Sequence, residues 1–94
     1  MRLRVQYTAQ LRSATGRHED LIELSEGDSI ATLLSHLGEK YGDCVRSYLL
    51  TPAGRIQRSL LVIVNGIAHT AGHAESVLLH DHDCVEFLPP IGGG

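Results

Sequence analysis

The spacing of apolar residues changes once along this chain, and that change limits what the chain can fold into. Within residues 28–42 the apolar side chains recur every three or four positions, which places them on one stripe of a helix. The stripe consists of Ile30, Leu33, Leu34, Leu37 and Tyr41. Asp28 or Ser29 is placed to cap the start of this helix, and Gly42 to end it in a left-handed conformation.

The residues before this helix alternate between polar and apolar, which is typical of strands. In "LRVQYTA" the side chains of Leu3, Val5 and Tyr7 fall on one face, and in "EDLIEL" those of Ile22 and Leu24 do so. The stretch "RSATGR" between them has the composition of a turn. These residues predict an N-terminal hairpin.

The residues after the helix predict two further main strands. "LLVIVNG" is a strand that the pair Asn65-Gly66 stops, and "CVEFLP" is a final strand with Val85 and Phe87 on one face. Residues 43–60 predict no more than a short helical turn and a type I turn at "TPAG". Residues 67–83 are expected to be mostly loop, with at most one short strand.

This order of elements predicts an α+β fold. One amphipathic helix between a strand pair and later strands must lie across a single sheet. The first and last strands are expected to pair at its centre, because a right-handed crossover brings them close. The expected architecture is a ubiquitin-like β-grasp, a mixed sheet of four to five strands with one main helix packed on one face.

Composition and charge exclude several classes of protein. The 94 residues suffice for one domain, and the formal charge of −3 without a basic stripe argues against nucleic-acid binding. No apolar run approaches the ~20 residues of a membrane span, and no signal peptide is evident, so a cytoplasmic location is expected. Cys44 and Cys84 lie far apart in the sequence and are expected to be free thiols packed as small hydrophobes.

The chain ends in "LPPIGGG", which looks specified rather than frayed. At average usage, three consecutive glycines would end a chain by chance roughly 0.03% of the time. Glycine lets a backbone approach a partner closely, and Pro89 and Pro90 form a stiff, extended base. We therefore expect a β-grasp domain over residues 1–90 and a flexible glycine tail over residues 91–94, which presents an ionised carboxylate to another protein.

The sequence "FLPPIGGG" resembles the C-terminus of the MoaD/ThiS sulfur carriers, which often end in Phe-x-Pro-Pro-x-x-Gly-Gly. The matching residues are Phe87, Pro89, Pro90, Gly93 and Gly94. The resemblance covers the whole chain, with "GDSIATLLSHLGEKYG" similar to the family's helix and "VIVNG" to its middle strand.

Two stretches depart from the family pattern. Where members often have Asp-Gly-Asp before the last strand, this chain has Asp81-His82-Asp83. Histidine adopts positive φ less easily than glycine, so the turn there is expected to differ. Residues 43–60 are longer than in compact molybdopterin synthase small subunits, and are more like those of the carriers of cysteine synthesis and the archaeal ubiquitin-like modifiers. The pathway therefore stays open.

The resemblance implies a carrier that is not itself an enzyme. A ThiF/MoeB-like enzyme would use ATP to adenylate the carboxylate of Gly94, and a desulfurase or rhodanese-type donor would convert it to a thiocarboxylate. In molybdenum cofactor synthesis, which the motif favours, the tail would then enter the large subunit of molybdopterin synthase. The alternatives are cysteine or thiamine synthesis, a protein modifier joined through Gly94, and a binding module with an incidental tail.

Partner binding is expected at the tail and on the open face of the sheet. Leu61, Ile63 and Leu88 would face away from the helix if Val62, Val64, Val85 and Phe87 face towards it. The alternative is that residues 43–60 fold over this face. In the tail, the expected contact residues are Pro89, Pro90, Ile91, Gly92 and Gly93.

The histidines invite comparison with metal ligands. On a strand, His80 and His82 would share a face, but two imidazoles make an incomplete zinc site, and a solvated turn is expected there instead. His69 and His73 have helical i, i+4 spacing, although Gly72 makes a helix there doubtful. No motif for a catalytic nucleophile surrounds the serines. We expect no metal, no bound cofactor and no catalytic side chain.

Overall fold

The computed structural model of this chain describes residues 1–88. Its first elements are β1 (Arg2–Gln6), α1 (Ala9–Thr15) and β2 (Glu19–Glu23). β1 and β2 pair antiparallel, which confirms the predicted pairing. The predicted turn between them is wrong, because the connection contains α1. Only Leu11 of α1 is buried, so the segment carries no apolar stripe by which its helix could be recognised.

The predicted main helix is α2 (Ile30–Tyr41). Ser29 caps it, since its side-chain oxygen accepts a hydrogen bond from the Thr32 amide at 3.4 Å. Its apolar stripe faces the core, with Tyr41 half-buried at the end. Gly42 has the expected positive φ of 84°, but its ψ of −164° is extended rather than left-handed helical.

A third helix, α3 (Asp43–Leu49), follows α2 immediately and is longer than the predicted helical turn. Its Val45 and Leu49 side chains are buried in the core. The helix packs against α2 at Gly38, where an added Cβ would lie 3.2 Å from the Cβ of Arg46. Gly38 is therefore the residue that lets the two helices approach closely.

The C-terminal half contains β3 (Leu61–Val64), β4 (Ile67–Thr70), α4 (Ala71–Ala74) and β5 (Cys84–Leu88). Asn65 and Gly66 join β3 to β4 with φ values of 51° and 84°, the two positive values of a tight type I′ hairpin. The pair Asn65-Gly66, which was predicted to end β3, therefore forms the hairpin turn that leads into β4.

Within residues 1–88 the strands form one sheet in the order β2-β1-β5-β3-β4. The central pair, β1 and β5, is parallel and aligns Val5 with Val85, and the other pairs are antiparallel. The predicted central pairing is confirmed. The fold is α+β, a ubiquitin-like β-grasp with α2 as its main helix and three shorter helices among the described residues.

The core lies between α2, α3 and one face of this sheet. The buried apolar side chains of the strands are Leu3, Val5, Ile22, Val62, Val64, Val85 and Phe87. They are the residues that the alternating pattern assigns to the inner face, so the predicted facing of all four strands is confirmed. No helix among the described residues has the length and apolar character that crossing a bilayer requires.

Candidate functional site: the last strand and the open sheet face

β5 leads from the centre of the sheet to the C-terminal tail. Val85 and Phe87 are fully buried, whereas Leu88 is 38% exposed at the end of the strand. β5 pairs with β1 as far as Glu86 and with β3 as far as Leu88, so the end of the strand has a defined position and direction. The predicted site residues Pro89, Pro90, Ile91, Gly92, Gly93 and Gly94 lie outside the described residues.

An apolar patch consisting of Leu61, Ile63 and Leu88 lies on the open face, beside the end of β5. Leu61 is directly opposite Leu88 in the antiparallel pair, and Ile63 is opposite Glu86. Leu61 and Ile63 are partly exposed. The structure therefore brings together the three residues that the strand pattern assigns to this face.

Residues 43–60 do not cover the apolar patch. α3 packs against α2 and α1, and its buried side chains Val45 and Leu49 join the core on the opposite face of the sheet. Leu50, Ile56 and Leu60 of the following segment are buried in that same core. The extra length of this region thus thickens the helical layer.

The β1–β2 side of the open face carries two ion pairs. Arg4 lies 3.5 Å from Glu19, and Arg2 lies 3.1 Å from Glu23, so two ion pairs cross from β1 to β2. Glu86 lies between them and the apolar patch, opposite Ile63. Charged side chains thus border the apolar patch on one side. Protein–protein interfaces commonly have such an apolar centre with polar residues around it.

Hydrogen bonds that the strand pattern does not reveal fix the start of β5. The Asp83 carboxylate is largely buried and accepts hydrogen bonds from the Asn65 side-chain amide and the His80 backbone amide, both at 2.8 Å. The Asn65 side-chain oxygen in turn accepts from the Cys84 amide at 2.9 Å. This network ties the β3–β4 turn to the loop before β5 and sets the strand's register.

The turn at Asp81-His82-Asp83 keeps a left-handed residue despite the missing glycine. His82 has φ of 69°, and its amide donates to the Arg2 carbonyl at 2.8 Å. His82 therefore adopts a positive φ, the conformation that histidine was expected to adopt less easily than glycine. The Arg2 amide donates to the Asp81 carboxylate at 2.7 Å, and this hydrogen bond lowers the pKa of Asp81.

A second buried carboxylate, Asp20, lies on the inner face of β2 and was not evident from the pattern. It accepts hydrogen bonds from the hydroxyls of Tyr7 and Tyr41, and ion-pairs with Arg17 at 3.3 Å and Lys40 at 3.5 Å. Burial by itself would raise the pKa of Asp20, but the two hydroxyls and two cations together lower it. Burial, followed by the contact with Asp20, raises the pKa of Tyr7. The alternation rule fails here because a polar residue occupies a core position.

The histidines and cysteines form no shared site in the part of the chain that the structure describes. No group of three potential metal ligands occurs within residues 1–88. His80 and His82 are exposed, and the rings of His69 and His73 stack at 6.4 Å across the β4–α4 boundary. The expected packing of Cys44 is wrong, since it is exposed; Cys84 is half-buried on the open face, where burial raises the pKa of its thiol.

Comparison with known proteins places this geometry in a family. A model of the ThiS family matches residues 5–94. The small archaeal modifier protein 1 of Methanosarcina acetivorans is 27% identical, with a TM-score of 0.75 over 99% of this chain and 96% of that one. The putative molybdopterin converting factor subunit 1 of Pyrococcus furiosus is 23% identical, with a TM-score of 0.75 over 96% and 98% of the two chains.

A complex is among the similar structures. The match is to the Amycolatopsis orientalis BexX/CysO complex, at 20% identity and a TM-score of 0.73 over 98% of this chain and 99% of that one. No curated protein sequence matches the chain significantly. Because the family model spans nearly the whole sequence and the fold agrees with it, the chain belongs to the ThiS family of ubiquitin-like sulfur carriers.

Proposed function

We propose that this protein carries sulfur on the C-terminal carboxylate of Gly94 and donates it in molybdopterin synthesis. The observation that supports this most is the position of β5. The strand runs through the core and ends at Leu88, beside the apolar patch, so the residues that follow start next to a partner surface. The family match extends to Gly94.

The proposed chemistry needs no catalytic side chain from the carrier. A ThiF/MoeB-like enzyme binds the apolar patch, and the Gly94 carboxylate attacks the α-phosphate of ATP, which releases pyrophosphate and leaves an acyl adenylate. The persulfide of a desulfurase or rhodanese-type donor displaces AMP and forms an acyl disulfide. A thiol then cleaves the S–S bond, which releases the thiocarboxylate and leaves a disulfide on the donor. Transfer of that sulfur to the acceptor bound by the molybdopterin synthase large subunit, with water supplying oxygen, restores the carboxylate.

The tail composition supports this presentation. Glycines 92–94 add no side chain to the backbone, so the carboxylate can pass through a narrow channel in a partner. Positioning matters because displacement of a reacting group by ~1 Å can lower a rate ~100-fold. A tail that begins at the paired end of β5 starts from a defined point.

The second candidate pathway is cysteine or thiamine synthesis, with the same carrier chemistry. Two observations support this second candidate: the similarity to the BexX/CysO chain and the length of residues 43–60. Incubation of the thiocarboxylate form with a molybdopterin synthase large subunit, or with a cysteine synthase, distinguishes the pathways. We expect sulfur transfer with the first, and transfer only with the second would overturn the molybdopterin assignment.

The third candidate is a protein modifier, which the archaeal modifier relative favours. Lys40 is the only lysine in the sequence, and its ammonium group pairs with the buried Asp20. It is thus a poor acceptor for chain building, although conjugation to other proteins does not depend on it. We expect intact-mass analysis of protein purified from its host to show Gly94 as carboxylate or thiocarboxylate. A ladder of larger species with Gly94 in isopeptide linkage would overturn the carrier assignment.

A further inference from the structure

Glu86 occupies the middle of the open sheet face. It belongs to β5, the central strand, and lies between the buried residues Val85 and Phe87, so its side chain points to the open face. Gln6 of β1 is its neighbour on one side and Ile63 of β3 on the other. The Glu86 side chain is half-buried between these strands.

The charged side chains that the strands direct to this face are paired, with one exception. Arg2 pairs with Glu23 at 3.1 Å, and Arg4 pairs with Glu19 at 3.5 Å. Within residues 1–88, no nitrogen of a lysine, arginine or histidine side chain lies within 4.0 Å of the Glu86 carboxylate. In this part of the chain, Glu86 is therefore the one strand carboxylate of the open face without a cation next to it.

The apolar patch borders this carboxylate on two sides. Ile63 is directly opposite Glu86 in the antiparallel pair. Leu88 follows two positions later on the same face of β5, where it is opposite Leu61. A partner that covers the apolar patch therefore covers Glu86 as well.

The Glu86 carboxylate is accessible, and its charge acts on its surroundings. A groove of about 330 Å³ opens beside it, so an incoming side chain can reach it. Arg12 and His18 also line this groove, but neither lies within 4.0 Å of the carboxylate. Burial raises the pKa of the Cys84 thiol, and the charge of Glu86 raises it further, against the smaller opposite effect of Arg4.

Covering the apolar patch would remove water from Glu86. A charge that loses its water without gaining a partner strongly opposes binding, whereas an ion pair with additional hydrogen bonds offsets much of that loss. A purely apolar or an acidic partner surface is therefore disfavoured at this position. Arginine suits it best among the cations, because its guanidinium group is weakly hydrated and can bind both oxygens of a carboxylate.

We propose that Glu86 selects the partner that binds the apolar patch. The adenylating enzyme presents an arginine that pairs with Glu86, and apolar side chains around that arginine contact Leu61, Ile63 and Leu88. The pair forms in the middle of the interface, where water is excluded. This inference rests on the proposed function and names the chemistry of the surface that the partner brings to the patch.

The first test is titration calorimetry of the host's ThiF/MoeB-like adenylating enzyme with the full chain and with Glu86→Gln. We expect the dissociation constant to rise roughly 10-fold or more, because the enzyme's arginine loses a charged acceptor in a site without water. If the apolar patch alone drove binding, the same substitution would remove an unpaired charge from the interface and lower the dissociation constant. A dissociation constant that is unchanged or lower would overturn the proposal.

Two further variants are controls for this measurement. Glu39→Gln removes an equal charge from an exposed position on α2 and should leave the dissociation constant unchanged. Arg12→Gln removes the arginine that lines the groove and should leave binding unchanged or tighter. Weakening by Glu39→Gln equal to that by Glu86→Gln would indicate an effect of net charge. Equal weakening by Arg12→Gln would indicate that Glu86 pairs within its own chain, and either result would overturn the proposal.

The second test identifies the cation on the enzyme. Phenylglyoxal modifies exposed arginines, and mass spectrometry shows which of them the bound carrier protects. Each protected arginine is then replaced by methionine, and binding is measured with the full chain and with Glu86→Gln. We expect one replacement that weakens binding of the full chain but does not weaken binding of Glu86→Gln further, which is the signature of a coupled pair. Additive effects for every protected arginine would overturn the proposal.

ATP–pyrophosphate exchange with the full chain tests the proposed function separately. Normal exchange together with any of the contrary binding results would overturn the role of Glu86 and leave the carrier function intact. Absence of both binding and exchange with the full chain would overturn the proposed function, and this inference with it.

Discussion

His82 shows how one residue can carry strain that its neighbours enforce. The hydrogen bond from the His82 amide to the Arg2 carbonyl holds His82 at a positive φ. The next residue, Asp83, accepts a hydrogen bond from the Asn65 side chain, which fixes the turn on its other side. For a residue with a Cβ, the left-handed region costs about 1–2 kcal/mol. The surrounding network supplies this free energy, so the turn keeps its shape without glycine.

We expect His82→Gly to raise the free energy of unfolding by about 0.5–1 kcal/mol. Removal of the strain is worth about 1–2 kcal/mol, and the greater freedom of glycine in the unfolded chain offsets about 0.4–1 kcal/mol of it. Urea denaturation measures the change. The control is His80→Gly, at an exposed position without positive φ, which should lower the free energy of unfolding. Equal losses in both variants would show that His82 is unstrained.

Asp20 makes stability depend on pH in a predictable direction. Its folded-state pKa lies below the ordinary value of about 3.9, so its contribution is present above about pH 4 and is lost as pH falls towards the folded pKa. We expect Asp20→Asn to cost about 1–3 kcal/mol at neutral pH, because the hydroxyls of Tyr7 and Tyr41 lose a charged acceptor.

The same substitution should flatten the fall in stability below pH 4, measured by urea denaturation across acidic pH. Glu39→Gln, which removes an exposed carboxylate from α2, should keep the wild-type slope. An Asp20→Asn variant with the wild-type slope would show that this carboxylate is not the source of the acid sensitivity. Tyr7 acts in the opposite direction: its folded-state pKa is raised, so its contribution is present below about pH 10 and is lost above it.

At the scale of elements, β5 combines a structural face and a binding face in one strand. Phe87 is 1% exposed in the core, and the next residue, Leu88, is 38% exposed on the open face. Central pairing with β1 and β3 prevents the strand from slipping by one residue, which would exchange the two faces. The strand can therefore present Leu88 to a partner while Phe87 stabilises the domain.

We expect Phe87→Ala to lower the free energy of unfolding by about 3–5 kcal/mol, because it leaves a cavity in the core. Leu88→Asp should change stability little and should weaken binding to the adenylating enzyme or the synthase large subunit, since it places a charge in the apolar patch. Denaturation and titration calorimetry measure the two effects. Unfolding by Leu88→Asp together with a stable Phe87→Ala variant would reverse the assignment of faces.

At the scale of the whole molecule, the helical layer and the open face have separate roles. α3 and the segment after it deepen the core, whereas the sheet exposes the apolar patch on the other side. The apolar patch lies beside the end of β5, where Leu61 is opposite Leu88. A partner on the apolar patch would therefore contact the domain next to the point where the proposed carrier tail begins.

We expect deletion of Gly94 to leave the folded domain unchanged and to reduce adenylation at least ~100-fold, because the carboxylate is displaced from the reacting phosphate. ATP–pyrophosphate exchange by the adenylating enzyme measures activation, and the ¹⁵N spectrum of the domain checks the fold. The substitution Gly72→Ala, at a glycine with no neighbouring atom within 4 Å of the added Cβ, should leave exchange normal. Normal exchange without Gly94 would contradict its proposed role.

The sequence by itself determined the elements whose apolar residues repeat along one segment. The stripe of α2 and the alternation in β1, β2, β3 and β5 predict their type and their buried faces, because helical and strand spacing differ. The β-grasp order follows from them, as does the assignment of Leu61, Ile63 and Leu88 to the open face. The glycine tail motif also points to the family before any coordinates are considered.

Only the tertiary structure decided the features that depend on contacts between distant segments. α1 and α3 are short and are stabilised by packing, with two or fewer buried side chains each, so no repeated pattern marks them. Gly38 matters because of Arg46 on the next helix, and Asp20 is tolerated in the core only because Tyr7, Tyr41, Arg17 and Lys40 surround it. Such partners are brought together by folding, and spacing along the chain carries no record of them.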